Sequence, residues 1–174
     1  MKRFRPDYYC KSIFDIPISF YKKLNIKYIF SDLDNTLDQY DILIPSKRVM
    51  ELKTKLLEAG IVLCITSNNR AERKDIYCKR LGVRGIFSCR KPGKKKILSF
   101  IEMLNIKKEE VIIVGDQILT DVGCGKSADI KVCLTDPITD KDQWTTKFNR
   151  LIDRPIRKHL RKKGILKEVE IKDE

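Results

Sequence analysis

The stretch Ile26-Lys27-Tyr28-Ile29-Phe30 runs straight into Ser31-Asp32-Leu33-Asp34-Asn35-Thr36, so a short apolar segment ends in two closely spaced carboxylates. Its β-branched and aromatic side chains suit a strand buried on both faces. Four more runs of the same kind follow, at 61–66, 85–88, 111–115 and 130–134. The stretches between them have helical character. Residues 45–59 open with Pro45 in the first turn, carry Val49, Leu52, Leu56 and Leu57 near helical spacing, and stop at Gly60, a usual pairing of start and stop signals. Residues 71–80 and 92–104 follow the same pattern. Strands alternating with helices require right-handed crossovers, which predicts an α/β three-layer sandwich around a mostly parallel, Rossmann-like sheet.

In such a sheet ligands bind beyond the carboxyl ends of the strands, so the residues that follow each run carry the functional information. The first run ends at Asp32 and Asp34, the second at Thr66-Ser67-Asn68-Asn69, the third is followed by Arg90-Lys91-Pro92, and the fourth ends in Gly115-Asp116-Gln117. These four ends are predicted to meet at one mouth. Asp32 and Asp34 alternate along an extended chain, so one can attack while the other handles protons. Asp116 and Asp121 bring further negative charge, which a hard cation with oxygen ligands, magnesium, would relieve. Ser67 and Lys91 are the kinds of group that hold the non-reacting oxygens of a phosphoryl group. A lone Asp-x-Asp is more often turn or cap chemistry; the weight lies in four elements in order at four strand ends. Lys91 competes for its role with Arg90, Lys94, Lys95 and Lys96, most of which read as a solvated helix start. His159 has no part in this scheme.

These residues carry a resemblance. Asp-x-Asp-x-Thr at 32–36, Ser67 after an apolar strand, Lys91 before Pro92, and Gly115-Asp116 with Asp121 are similar to the motifs of the haloacid dehalogenase superfamily of phosphatases. The resemblance implies that Asp32 is the nucleophile, Asp34 the general acid and base, and Thr36 the residue that orients Asp34. It implies phosphate binding by Ser67, its neighbour Asn68 and Lys91. It also implies magnesium held by Asp32, Asp116 and the backbone carbonyl of Asp34, with Asp121 supporting the metal shell. Members of this superfamily place cap domains after the first motif or between the second and third, but here 23 residues separate Ser67 from Lys91 and a shorter gap follows Leu37. A capless, open site is expected, which suits a phosphate displayed on something large. Pro6-Asp7-Tyr8, residues 12–16, Asp32 to Leu37, Gly115-Asp116-Gln117 with Thr120-Asp121, and Thr146-Lys147-Phe148-Asn149-Arg150 resemble the YqeG-type, subfamily IIIA branch. That branch is similar to phosphatidylglycerophosphate phosphatases, which implies a lipid headgroup as substrate. The chain departs from the branch at Gly123-Cys124-Gly125-Lys126-Ser127. This segment also imitates the end of a nucleotide-binding loop, but Thr120 stands where the first glycine belongs, and it reads as helix surface.

A chain of 174 residues is about one domain long. It divides into an N-terminal segment, 1–25, packing on the core, a catalytic domain, 26–140, and a basic amphipathic segment, 141–174. Its six cysteines are scattered without a Cys-x-x-Cys pair, which points to reduced, structural thiols rather than zinc. No apolar run is long enough to span a bilayer and no apolar leader directs export, so a cytoplasmic place is expected, peripheral on the inner membrane face if the substrate is lipid. The net charge of +13 draws the chain to polyanions. From Lys147 to Lys167 nine basic residues face a single acid, Asp153, and Phe148, Leu151, Ile152, Ile156 and Leu160 fall near one helical face, with Pro155 expected to start a second helical piece. Such a segment can lie on an anionic membrane, bind RNA, or pack on its own domain with its charges in water; Trp144 beside it suits a lipid interface or the core. Three functions remain open at this point: a lipid phosphatase, a phosphatase of soluble nucleotides, sugars or phosphoproteins, and an RNA-binding or assembly protein on the same scaffold.

Overall fold

A computed structural model describes residues 2–68, 72–139, 144–166, 168 and 169. Its centre is a six-stranded sheet in which every adjacent pair is parallel: β1 (Tyr8–Cys10), β2 (Tyr28–Ser31), β3 (Val62–Thr66), β4 (Arg84–Ile86), β5 (Val111–Gly115) and β6 (Lys131–Thr135). The order across the sheet is β1-β6-β5-β2-β3-β4. The chain therefore moves outward from β2 to β4, then returns to lay β5 against the other side of β2. This reversal opens a crevice at the carboxyl ends of β2 and β5, where Asp32 and Asp116 stand.

Period-two alternation divides the strands between two apolar layers. Ile29, Leu63, Ile65, Ile112, Val114 and Cys133 pack with Tyr21, Leu56 and Tyr77 on one face. Those partners come from α1 (Ile18–Lys23), α2 (Lys47–Glu58) and α3 (Glu72–Leu81). Phe30, Cys64, Ile113, Val132 and Leu134 pack on the other face with Phe100, Cys124 and Leu160, which belong to α4 (Lys95–Met103), α5 (Gly123–Ala128) and α6 (Trp144–Lys162). The expected three-layer sandwich is thus present, and its sheet is wholly parallel. All six cysteines are buried and unpaired. Among the described residues no helix is long and apolar enough to cross a membrane.

Four local expectations are revised. Tyr8–Cys10 is a sheet strand, with Tyr8 opposite Cys133 and Cys10 opposite Thr135; three residues between charged neighbours give too little alternation to be read as one. Helix α2 starts at Lys47 because Ser46 caps it, its hydroxyl accepting from Val49 N, which leaves Pro45 just outside. Pro155 lies inside α6 rather than between two pieces. Finally, 123–127 is helical but not surface: Gly123, Cys124 and Gly125 are buried. A methyl group at Gly125 would collide with Val132 Cγ2, and one at Gly123 would come 2.9 Å from Pro92 Cβ. Gly125 lets α5 lie directly on β6, and Gly123 lets it pass close to Pro92. The expectations for Trp144 and Phe148, and for residues 170–174, concern side chains or residues outside those described.

Gly125→Ala forces this contact apart, and we expect it to destabilise the fold by about 1–3 kcal/mol in urea unfolding, whereas Gly60→Ala, which meets no neighbour within 4 Å, should cost only the strain of its left-handed backbone.

Candidate active site

The end of β2 is held in place by its backbone. Asp32 N donates to Val114 O at 2.9 Å, while Leu37 N and Asp38 N both return to Leu33 O. Asn35 adopts φ 63°, a left-handed conformation that asparagine tolerates better than most residues, and its N–H closes the loop on Asp38 O. The Asp38 carboxylate is in turn fixed by Tyr77 Oη and Ser46 N. The result is a rigid bend that holds Asp32, Asp34 and Thr36 above the sheet. The Thr36 hydroxyl donates to Asp116 Oδ1 at 3.2 Å, so it ties the end of β2 to the end of β5.

Lys91 lies at the heart of the site. Its ammonium is buried and donates to Asp32 Oδ1 at 2.8 Å, Asp121 Oδ1 at 2.6 Å and Thr66 O at 3.2 Å. Burial alone would lower its pKa, but the carboxylates of Asp121 and Asp32 override that and hold it above the usual lysine value. Arg90, Lys94, Lys95 and Lys96 are all exposed, so the choice among the basic neighbours falls to Lys91. Asn68 explains how Lys91 is placed. Its amide donates to Lys91 O at 3.0 Å and its carbonyl accepts from Lys91 N at 2.7 Å. Expected among the phosphate ligands, Asn68 instead spends both ends of its side chain on the Lys91 backbone and acts as a bracket for it. Ser67 is buried at the end of β3, with its N–H on Ile86 O and its carbonyl accepting from Cys89 N.

Asp121 sits at zero exposure on a π-helical turn, Ile118–Val122. Its second oxygen accepts from Gln117 N, and only a glycine at 115 leaves room for it, since a Cβ there would run into the carboxyl group. Burial raises its pKa to about 7, helped by Asp32 and Asp116 and opposed by Lys91. Two carboxylates therefore share one buried ammonium while Asp116 adds a third negative charge beside Asp121, and this excess of hard, negative oxygen fits a divalent cation. Among the described residues no three acidic, histidine or cysteine side chains are grouped so as to hold a metal ion by themselves. Magnesium suits such an open arrangement, because it keeps water and phosphate oxygens among its ligands. The carboxylate of Asp34 is engaged elsewhere, which leaves its backbone carbonyl as the oxygen this residue can offer a metal.

Asp34 is engaged by a residue that the sequence did not reveal. Lys74, on α3, is completely buried, and its ammonium donates to Asp34 Oδ2 at 2.6 Å and to Ser67 Oγ. It follows Arg70, Glu72 and Arg73, a charged stretch indistinguishable from a solvated helix start. Helix α6 supplies a second unforeseen set. The buried Asp153 carboxylate accepts from Ile118 N and Leu119 N at 2.8 and 3.1 Å, capping the turn that carries Asp121. Arg157 donates to Asp116 O at 2.7 Å, to Thr135 O and to Asp136, and Asn149 donates to Gln117 Oε1. One signal pointed there: Asp153 is the lone acid of a basic stretch.

Comparison with known proteins shows the family. A family model described as haloacid dehalogenase-like hydrolase matches residues 11–135. The chain belongs to the haloacid dehalogenase-like hydrolases. It is 36% identical over 163 residues to a protein of Bacillus subtilis named "Probable phosphatase YqeG", covering 94% of this chain and 95% of that one. In fold it is similar to a putative 3-deoxy-D-manno-octulosonate 8-phosphate phosphatase from Vibrio cholerae, with a TM-score of 0.53 and 18% identity, over 68% of this chain and 72% of that one. The cobalt-bound deoxy-D-mannose-octulosonate 8-phosphate phosphatase of Haemophilus influenzae gives 0.50 and 16%, over 75% and 89%. This haloacid dehalogenase-like hydrolase is a phosphatase, and phosphatases of the family depend in general on a divalent metal.

Replacing Lys74 by methionine keeps the length of the side chain but removes its grip on Asp34 and Ser67. We expect kcat on a phosphomonoester to fall by about a hundredfold through misplacement of these two groups, with the folded circular dichroism spectrum retained and partial recovery in Lys74→Arg.

Proposed function

We propose that this phosphatase converts phosphatidylglycerophosphate to phosphatidylglycerol in a magnesium-dependent reaction that passes through an aspartyl-phosphate on Asp32. The observation that carries the reading is the setting of Asp32: a carboxylate at the β2–β5 reversal, gripped on one oxygen by Lys91, 7% exposed, at a mouth that no inserted domain covers. One Asp32 oxygen attacks phosphorus, the bond from phosphorus to the leaving oxygen breaks, and Asp34 gives that oxygen its proton. Water then attacks the phosphorus and passes a proton to Asp34. The Asp32–phosphate bond breaks, releasing inorganic phosphate and restoring the carboxylate. Through both steps Ser67 Oγ donates to a phosphoryl oxygen, and the Lys91 ammonium turns the donor it holds on Asp32 Oδ1 to another as that carboxylate bonds to phosphorus and charge grows on the phosphoryl group. Asp32, Asp116 and the Asp34 carbonyl, with Asp121 behind them, would hold a magnesium ion, which would supply further positive charge against the phosphoryl group.

Support for the lipid substrate comes from three directions. The segment between the first motif and α2 is a short loop, so the site presents an open mouth to a bulky phosphate carrier. The first motif, Gly115-Asp116-Gln117 and 146–150 resemble the branch that is similar to phosphatidylglycerophosphate phosphatases. The net charge of +13 favours an anionic substrate and surface.

Release of phosphate from phosphatidylglycerophosphate in mixed micelles with magnesium should vanish in Asp32→Asn; activity kept by that variant would show that another group attacks. Faster turnover of nucleotides, sugar phosphates or a phosphoprotein than of the lipid would overturn the substrate assignment. Magnesium should also raise the Tm of the wild-type protein, because it binds the folded carboxylate site, and raise it less in Asp116→Asn; equal shifts in a thermal melt would place the metal elsewhere.

A further inference from the structure

Five of the ten large apolar side chains exposed among the described residues, Leu43, Ile44, Ile138, Leu151 and Ile152, lie on segments that leave the mouth end of the sheet. Leu43 and Ile44 are 54% and 57% exposed and ride on the loop from the first motif to α2. That loop is fixed to the site at its far end by the bond from Ser46 N to Asp38 Oδ2. Ile138 follows β6, and its N–H donates to Asn35 O within the first motif. Leu151 and Ile152 stand on α6, which crosses the carboxyl ends of β5 and β6 through the contacts of Asp153 and Arg157 described above. The inward face of α6 carries Asn149, Asp153, Ile156, Arg157 and Leu160, so helical spacing turns Leu151, Lys158 and Lys162 outward, and all three are exposed.

An apolar rim of this kind has no value to a monomer in water. Mixed with lysines on a chain of net charge +13, it has the make-up of a surface that inserts shallowly among anionic headgroups. Single-sign charge alone would serve a nucleic acid equally well. Exposed leucine and isoleucine would not, since phosphate contacts do not reward burying them. We infer that the rim of the mouth, formed by the 39–46 loop, the segment after β6 and the outer face of α6, is a docking surface for an anionic bilayer, and that docking turns the opening above Asp32 toward the headgroups. This deepens the reading of a lipid substrate and rests on it for its purpose, although the binding itself requires no turnover.

The test is flotation of the full chain with vesicles of phosphatidylcholine alone or mixed with phosphatidylglycerol. The paired variants are Leu43→Asp with Ile44→Asp, Leu151→Asp with Ile152→Asp, and Lys158→Glu with Lys162→Glu, none of which touches the catalytic groups. Wild-type protein should float with the mixed vesicles, weakly with the neutral ones, and less as salt rises. Each pair should lower the partition by about tenfold with circular dichroism and turnover of p-nitrophenyl phosphate unchanged. Equal flotation of the apolar variants and the wild type would overturn the docking surface, as would indifference to phosphatidylglycerol. So would mixed-sequence RNA binding that is lost in the lysine pair and kept in both apolar pairs. A chain that floats but leaves the lipid ester intact refutes the lipid substrate and keeps the surface; one that hydrolyses the ester in micelles but does not float does the reverse.

Discussion

The site depends on one buried cation. The Lys91 ammonium stands between Asp32 and Asp121, and without it two carboxylates would face each other in a place that water scarcely reaches. The desolvation of such a group is repaid only when every donor finds an oxygen, and here all three do. Much of the surrounding architecture secures that geometry. Asn68 brackets the Lys91 backbone, Gly115 yields space to Asp121, and Asp153 caps the turn on which Asp121 rides. The parallel sheet provides the frame, because its reversal at β2 and β5 brings together the strand ends from which these residues project.

What could be read from the amino acids follows from that frame. Asp32, Ser67, Lys91 and Asp116 each come directly after a strand or its following turn, so apolar runs locate them and the reversal of strand order gathers them. Lys74 is different in kind. It is buried because α3 sets it against Asp34 and Ser67, and a lysine in a charged stretch carries no mark of that. Asn68 takes a partner that the sequence did not reveal, the Lys91 backbone, since an amide beside a phosphate site and an amide holding a backbone look alike in one dimension. The strand at Tyr8–Cys10 is too short to show alternation, and it exists because β6 offers it an edge.

Helix α6 shows how one amphipathic pattern can conceal two faces of different use. The sequence suggests a single apolar stripe through Leu151, Ile152, Ile156 and Leu160. In the fold the inward line is drawn instead by Asp153, Ile156, Arg157 and Leu160, which leaves Leu151 and Ile152 in solvent. Asp153 and Arg157 can serve as packing residues because the mouth end of β5 offers unpaired N–H and C=O groups to an acid and a guanidinium. The basic composition of this segment thus contains both a bracket for the site and a surface charge.

The attachment of α6 to Asp116 and to the 118–122 turn also divides the labour of the chain. The last described strand ends at Thr135 and α6 starts at Trp144, so the six paired strands need nothing from this helix for their hydrogen bonds, whereas the turn that carries Asp121 takes two of its own from Asp153. Scaffold and carboxylate cluster are thus braced by different parts of one chain, and a change in one need not be felt in the other.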